Sequence, residues 1–396
     1  MALKLDADKW RKMRGMKRLL DALGANEGLT RYVGGGVRDD LLNLPISDID
    51  LATRISPDEV VRRLEGARLK AIPTGIEHGT VTAISDGQSF EITTLRRDVT
   101  TDGRRAVVAF TDDWREDAAR RDFTINALSA DPLTGELFDY FDGIRDLELR
   151  QIRFIGDPLQ RIAEDHLRIL RFFRFHARFD GGEPDGEALA ACQARANDLM
   201  ALSRERIADE LLKLLALPDP SSTLEIMVDG SILKPVLPEI TRERVSNLQA
   251  LVESERRAGI KPDALRRLAA LLPGNTAVAE DVAARLRLSN KARKRIACAV
   301  EPSLGPEPRR LAYRVGVEGA VDRLLLAGKA TEVASVVSWS PPRLPISGGT
   351  LISRGLPAGP IVARTLRNIE MHWVEAGFPS GRDFDQIVET VLRSAT

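Results

Sequence analysis

The chain has 396 residues, enough for roughly two to three domains, and its 43% hydrophobic and 29% charged residues are the composition of a soluble, well-folded protein with sizeable cores. Its 58 basic and 58 acidic residues cancel, so a nucleic-acid partner would have to be met by local basic clusters. Cys192 and Cys298 are too far apart for a zinc or dithiol motif, the N-terminus carries no apolar signal segment, and no run is long enough to cross a bilayer; together these imply a reducing, cytoplasmic setting with no membrane and no zinc.

Apolar spacing predicts an amphipathic helix over Ala7–Leu23, with Trp10, Met13, Met16, Leu19, Leu20 and Leu23 on its inner face. Arg31–Val33 reads as a strand feeding Gly34-Gly35-Gly36-Val37-Arg38-Asp39, and Val37–Leu44 as the helix that follows. A glycine run lets the backbone approach a charged group, and the N–H groups of a helix start favour a phosphate; alone, the pattern also reads as a tight turn. Asp48-Ile49-Asp50 opens a strand over Asp48–Thr53. Alternation along a strand places Asp48 and Asp50 on one face, where they repel unless a cation lies between them, and magnesium suits hard oxygen ligands.

Pro57–Leu64 reads as a helix capped by Ser56. His78–Ile84 and Ser89–Leu95, separated by Asp86-Gly87, read as a hairpin. Antiparallel neighbours would bring Glu91 beside the aspartates as a third carboxylate; a solvent-facing glutamate on an edge strand fits the spacing equally. Residues Asp98–Asp113 are charged and turn-rich, and read as a loop that orders on substrate binding. In Arg120-Arg121-Asp122-Phe123-Thr124-Ile125-Asn126-Ala127, adjacent arginines, an aspartate and an apolar helix suit ribose and phosphates, or form an ordinary solvated helix start.

From Ile152 the pattern turns helical. A helix begun at Asp157-Pro158 would carry Arg161, Asp165 and Arg168 on one face, with Glu164 beside Arg168 and Arg171. An aspartate and an arginine one turn apart can read a base edge, or pair as an ion ladder; Phe172, Phe173 and Phe175 supply the packing face. Beyond Gly181 the chain is helical, broken at Pro218-Asp219-Pro220 and at Leu272–Asn275. Basic residues stand out at Ser203–Arg206 and at Arg285, Arg287, Lys291, Arg293, Lys294 and Arg295, the latter dense enough for a phosphate-contacting patch. Ser338–Pro345 reads as a linker, and Pro360–Ala376 as the closing helix.

The glycine run, Asp48-Ile49-Asp50, the Arg120–Ala127 segment and Glu164-Asp165-His166-Leu167-Arg168-Ile169-Leu170-Arg171 occur in an order that resembles the class II tRNA nucleotidyltransferases, the CCA-adding enzymes, and their relatives the bacterial poly(A) polymerases. The resemblance covers about the first half of the chain. It implies an α+β fold: a small N-terminal nucleotidyltransferase head over 1–150, with a mixed sheet like that of polymerase β, an all-α neck over 151–215, and a helical, tRNA-binding body and tail over 216–396. Asp48 and Asp50 would hold catalytic Mg²⁺, with Asp50 or Glu91 a candidate general base. Gly34, Gly35 and Arg38 would meet the triphosphate, and Arg120, Asp122 and Asn126 the ribose. Asp165 and Arg168 would read CTP and ATP with Glu164 steadying the arginine, and the Asp98–Asp113 loop would serve the switch from C to A. The implied activity is addition of CMP, CMP and AMP to a tRNA 3′ end; the alternatives are a poly(A) polymerase and a nucleotidylyltransferase of small molecules.

Overall fold

The computed structural model describes residues 4–395 apart from 47, 103–104, 180–181 and 306. Seven strands form one sheet in the order β3-β4-β5-β2-β1-β8-β9: β1 (Thr30–Val33), β2 (Asp50–Thr53), β3 (Lys70–Gly75), β4 (Thr80–Ser85), β5 (Gln88–Thr94), β8 (Ser129–Ala130) and β9 (Leu137–Phe138). All neighbours are antiparallel except β2 and β5. The sheet is therefore mixed, as expected. The β4–β5 hairpin turns at Asp86 and Gly87, whose φ values of 49 and 81 suit the two-residue turn that Asp-Gly favours.

Two readings of the N-terminal third need correction. The first helix is two short ones, α1 (Ala7–Arg11) and α2 (Met16–Ala22), parted at Gly15, which has φ 81. Ser85 Oγ donates to the Gly15 carbonyl at 2.8 Å, tying the break to β4, and Met13, placed on the inner face by periodicity, is 42% exposed. The stretch at 98–113 is not an irregular loop: β6 (Arg96–Asp102) and β7 (Arg105–Phe110) pair as a separate antiparallel ribbon. The β-prone run Val107-Val108-Ala109-Phe110 outweighs the charges that suggested a loop. Residues 103–104 of that stretch lie outside the described residues.

Helices α3 (Gly35–Leu41), α4 (Pro57–Gly66), α5 (Trp114–Ala119) and α6 (Gly143–Glu148) complete the head. Trp10, Met16, Leu19 and Leu20 are buried with Tyr32, Leu51, Val81 and Ile92 of the sheet. The stretch expected as a neck folds as α7 (Pro158–Glu164), α8 (Leu167–Phe179), α9 (Gly186–Ala194) and α10 (Arg204–Leu215). Phe123 from the head packs on Phe154, Phe172 and Phe175, with ring centroids 4.9, 6.4 and 5.5 Å away. That aromatic knot fixes the base of α8 to the segment beside β8, so neck and head are one packed body: residues up to Leu214, with Ile226–Val236, form one compact unit.

The second unit comprises Leu215–Glu225 and the chain from Leu237 onward, and the border runs within α11 (Ser221–Asp229). It is all helix: α12 (Arg242–Ala258), α13 (Ala264–Ala270), α14 (Thr276–Arg285), α15 (Asn290–Val300), α16 (Pro308–Leu326), α17 (Ala330–Val337), α18 (Gly348–Ser353), α19 (Pro360–Glu375) and α20 (Arg382–Ala395). The closing helix is thus α20, whose Phe384, Val388 and Val391 bury against Ile369 and Trp373. Among the described residues no helix is long and apolar enough to cross a membrane.

Candidate active site

A cavity of about 470 Å³ opens where α3, the Arg121–Asn126 turn and α8 converge. Gly34, Gly35, Arg38, Asp122, Asn126, Asp165, Arg168 and Arg171 all line it, together with Asp50. Gly34 turns the chain from β1 into α3 with φ 71, and a Cβ there would lie 3.0 Å from Arg121 Nη1, so a side chain would crowd the cavity mouth.

The Arg120–Ala127 segment does not form the expected helix. Thr124–Asn126 is a single buried 3₁₀ turn, and its polar side chains close a network. Asn126 Nδ2 donates to Asp122 Oδ1 at 2.8 Å, and Asp122 Oδ2 accepts from Arg171 Nε at 2.7 Å. Arg38 Nη1 donates to Asn126 Oδ1, and Arg38 Nε donates to Asp39 Oδ1 at 2.8 Å. Burial alone would raise the Asp122 pKa, but Arg171, Asn126 and the Phe123 N–H outweigh it and hold the carboxyl below its ordinary value. Burial pulls the Arg38 guanidinium down, against the pull of Asp39.

The Asp165 region also departs from a continuous helix. Asp165 is extended, with φ −152, and separates α7 from α8, so a shared helical face cannot place Arg161, Asp165 and Arg168 together. Asp165 Oδ1 instead accepts from the Leu167 N–H at 3.1 Å, and Oδ2 accepts from Arg206 Nη2 at 2.8 Å. Arg168 Nη1 donates to Glu164 Oε2 at 2.6 Å and to the Arg161 carbonyl at 2.9 Å, while Nη2 donates to the Arg120 carbonyl at 3.2 Å. Of five guanidinium N–H groups, three are engaged and two remain for a ligand; each Asp165 oxygen retains one acceptor site. Glu164 pairs with Arg161 and Arg168 and lies off the cavity wall; Arg171, expected beside it, pairs with Asp122.

Arg120 does not line the cavity: its Nε and Nη2 donate to Asp117 Oδ1, both at 2.8 Å. Its neighbour Arg121 lines the wall in its place, as do Phe175 and Arg206, none of which was singled out as a ligand. The adjacent-arginine motif pointed to Arg121. Arg206 stood out in the sequence only as part of a short basic stretch, with no signal for this cavity; its place depends on α10 folding back against α8 through Arg174 and Glu210, 2.5 Å apart.

Asp50 begins β2, and Glu91 is its register partner on β5, on the same side of the sheet. The strands are parallel rather than antiparallel, and this pairing sets Glu91 beside Asp50. Asp48 precedes the strand instead of sharing it. A second cavity, of about 820 Å³, is lined by Asp48, Asp50 and Glu91. Burial, then Glu91, raises the Asp50 pKa; Arg121 opposes and Asp48 adds to it. This crowding of negative charge is what a divalent cation relieves. Among the described residues no group of three or more His, Cys, Asp or Glu is placed to hold a metal ion. The aspartate pair suits a small, hard ion that keeps waters and substrate phosphates among its ligands.

The six-residue basic patch is divided. Arg285 pairs with Glu239 at 2.5 Å, and Arg295 is locked by Asp322 (2.7 Å), Asp263 (3.0 Å) and Glu318 (3.1 Å). Arg287, Lys291 and Lys294 are exposed and Arg293 is half-buried.

Residues 30–153 match the Poly A polymerase head domain, and residues 183–243 match a probable RNA and SrmB-binding site of polymerase A. The chain is 32% identical over 408 residues to CCA tRNA nucleotidyltransferase 1, mitochondrial, of Mus musculus, covering 96% of this chain and 91% of that one. It is 33% identical over 368 residues to a CCA-adding enzyme of Streptococcus gordonii, covering 88% and 90%. Its fold is similar to that of the Bacillus stearothermophilus CCA-adding enzyme in complex with CTP: TM-score 0.74, 24% identity, 95% of this chain and 97% of that one.

Proposed function

The chain belongs to the CCA tRNA nucleotidyltransferase family, and from that premise we propose how its residues add CMP, CMP and AMP from CTP and ATP to a tRNA 3′ end without a nucleic-acid template. The observation that carries the reading is one cavity on which the Gly34–Gly35 turn, the Asp122–Asn126–Arg171 network and the Asp165 and Arg168 side chains converge. Gly34 and Gly35, at the start of α3, with Arg38 and Arg121, hold the triphosphate. Asp122 and Asn126, fixed by Arg171, meet the ribose.

Asp165 and Arg168 select the base. Cytosine and adenine both offer an exocyclic amino donor beside a ring-nitrogen acceptor. The carboxylate takes the amino hydrogen and a remaining guanidinium N–H serves the ring nitrogen. Uracil and guanine put a carbonyl where the amino group should be and leave two acceptors facing, at a cost of about 1–3 kcal/mol. Glu164 keeps the Arg168 fork in place.

Asp48 and Asp50 would hold Mg²⁺, which when bound supplies electrostatic stabilisation at the reacting phosphate and lowers the pKa of the attacking hydroxyl. The 3′-hydroxyl displaces pyrophosphate at the α-phosphorus, and this chain supplies alignment and charge. Glu91, exposed beside Asp50, is the side chain available to receive the hydroxyl proton. In this reading residues 1–150 carry the chemistry, 151–215 the base selection and 216–396 the grip on tRNA, with Arg287, Lys291, Arg293 and Lys294 as its phosphate contacts. The setting is the cytoplasm.

The test is incubation of the protein with a tRNA lacking its 3′ triplet and each labelled nucleotide. A defined three-nucleotide extension supports the proposal. A long A tail replaces it with poly(A) synthesis, and no labelling of RNA overturns both.

A further inference from the structure

Three cavities of the first unit share walls in sequence. Asp50 lines both the 470 Å³ nucleotide cavity and the 820 Å³ cavity beyond it. Met13 in turn lines both that second cavity and a third, of about 500 Å³, on the outer side of the two N-terminal helices. The shared residues place the three cavities in succession, from the one proposed for the nucleotide, past the paired carboxylates, to the surface of α1 and α2.

The chemistry changes along this succession. The middle cavity has an apolar rim, where Met13 is 42% and Leu44 37% exposed, with Lys9 at its edge. Such side chains, left in water beside catalytic carboxylates, suit the flat face of a base. The outer cavity is lined by Arg11, Lys12, Lys17 and Arg18 along with Asp8, Asp21 and Asp86. Arg11 lies 3.5 Å from Asp8, and Arg18 donates to the Ala67 carbonyl at 2.6 Å. Lys12, Arg14 and Lys17 are exposed and engage no side-chain partner among the described residues.

We propose that this path seats the single-stranded 3′ end of the RNA acceptor: the terminal base lies in the Met13–Leu44 cavity, and the preceding phosphates follow Lys12, Arg14 and Lys17 across the N-terminal helices. The inference rests on the reading of the chain as an RNA nucleotidyltransferase. Single strands are held by this combination, a cationic groove tracking the backbone and flat apolar surfaces meeting bases. The sequence already carries the signal, since six of the ten residues from Lys9 to Arg18 are basic, in a chain of zero net charge.

The experiment uses the full chain and a variant with Lys12→Ala, Arg14→Ala and Lys17→Ala, all at exposed positions. The acceptors are a trimmed tRNA and a minihelix of its acceptor stem. KM for both RNAs should rise roughly tenfold, and the log–log salt slope of RNA binding should fall by roughly two to three. KM for CTP should not change. A companion variant, Met13→Glu, should raise the KM for both RNAs by setting a carboxylate beside the strand.

Unchanged RNA KM and salt slope in the triple variant, with an active wild type, overturn the path and leave the proposed activity standing. A penalty with whole tRNA but none with the minihelix also overturns it, because the cations would then grip the tRNA body. A wild type that transfers no nucleotide to either RNA removes the activity, and the path with it.

Discussion

The nucleotide cavity and the helical core around Arg267 both crowd arginines against carboxylates, and they do opposite things with them. In the helical unit, Glu255, Arg266, Arg267 and Asp322 are all at most 3% exposed, and they pair with one another, with Arg295 and with backbone carbonyls. Arg266 and Arg267 each donate Nε to Glu255 at 2.9 Å, Arg267 caps the carbonyls of Leu215 and Pro218 at 2.8 Å, and Arg295 Nε donates to Asp322 at 2.7 Å. In the cavity, Arg168 and Asp165 are only partly satisfied, and both line a void. Closure in one region and incompleteness in the other separate a structural ion network from a binding one.

The largest expected contrast pairs Asp50→Ala with Arg267→Ala. Asp50→Ala should abolish nucleotide transfer while urea unfolding changes little, since the loss relieves crowding with Glu91. Arg267→Ala leaves Glu255 half-paired in a dry interior and should cost about 3–5 kcal/mol in the same unfolding experiment. Near wild-type transfer by Asp50→Ala at saturating magnesium would sink the metal assignment.

Exchanging Asp165→Arg and Arg168→Asp sharpens the comparison within the cavity. Incorporation of CTP and ATP should weaken by about 1–3 kcal/mol relative to UTP and GTP under equal conditions. If the original preference survives the exchange, specificity is read elsewhere.

Arg206→Ala should act in the same direction and less strongly. It removes the partner of Asp165 Oδ2 while Oδ1 keeps the Leu167 N–H, so discrimination against UTP should fall by about 1 kcal/mol with the fold intact. A loss of stability with unchanged discrimination would class Arg206 with the closed networks.

The smallest effect divides the patch at 285–295. Arg293→Ala with Lys294→Ala should reduce the salt slope of tRNA binding by about one unit per lost phosphate contact. Arg295→Ala should lower stability and leave that slope alone, because its guanidinium is spent on Asp322, Asp263 and Glu318. Equal slopes in wild type and the double variant would return Arg293 and Lys294 to an ordinary solvated surface.

Local chemistry was legible where a short segment dictates its own geometry. The Asp-Gly turn, the helix after Gly34 and the strand position of Asp50 follow from nearest-neighbour sterics and period-2 alternation, whereas Glu91 comes beside Asp50 through a long-range parallel pairing that spacing left open. The ribbon at 96–110 was misread because charge masked β-propensity, and Asp165 because periodicity cannot see a residue leave the helix to cap the next one.

By itself the sequence determined the family and the chemical inventory: a glycine turn, a carboxylate pair, and an Asp–Arg pair in fixed order. Only the tertiary structure decided which charges remain available. Arg120 and Arg121 are adjacent in the chain, yet the first is spent on Asp117 outside the cavity while the second also lines its wall. Arg285 and Arg295 read as a surface patch until Glu239 and Asp322, distant in sequence, arrive beside them. Whether a charge binds a ligand or a neighbour depends on what lies within a few ångströms, and for these residues that company comes from segments far along the chain.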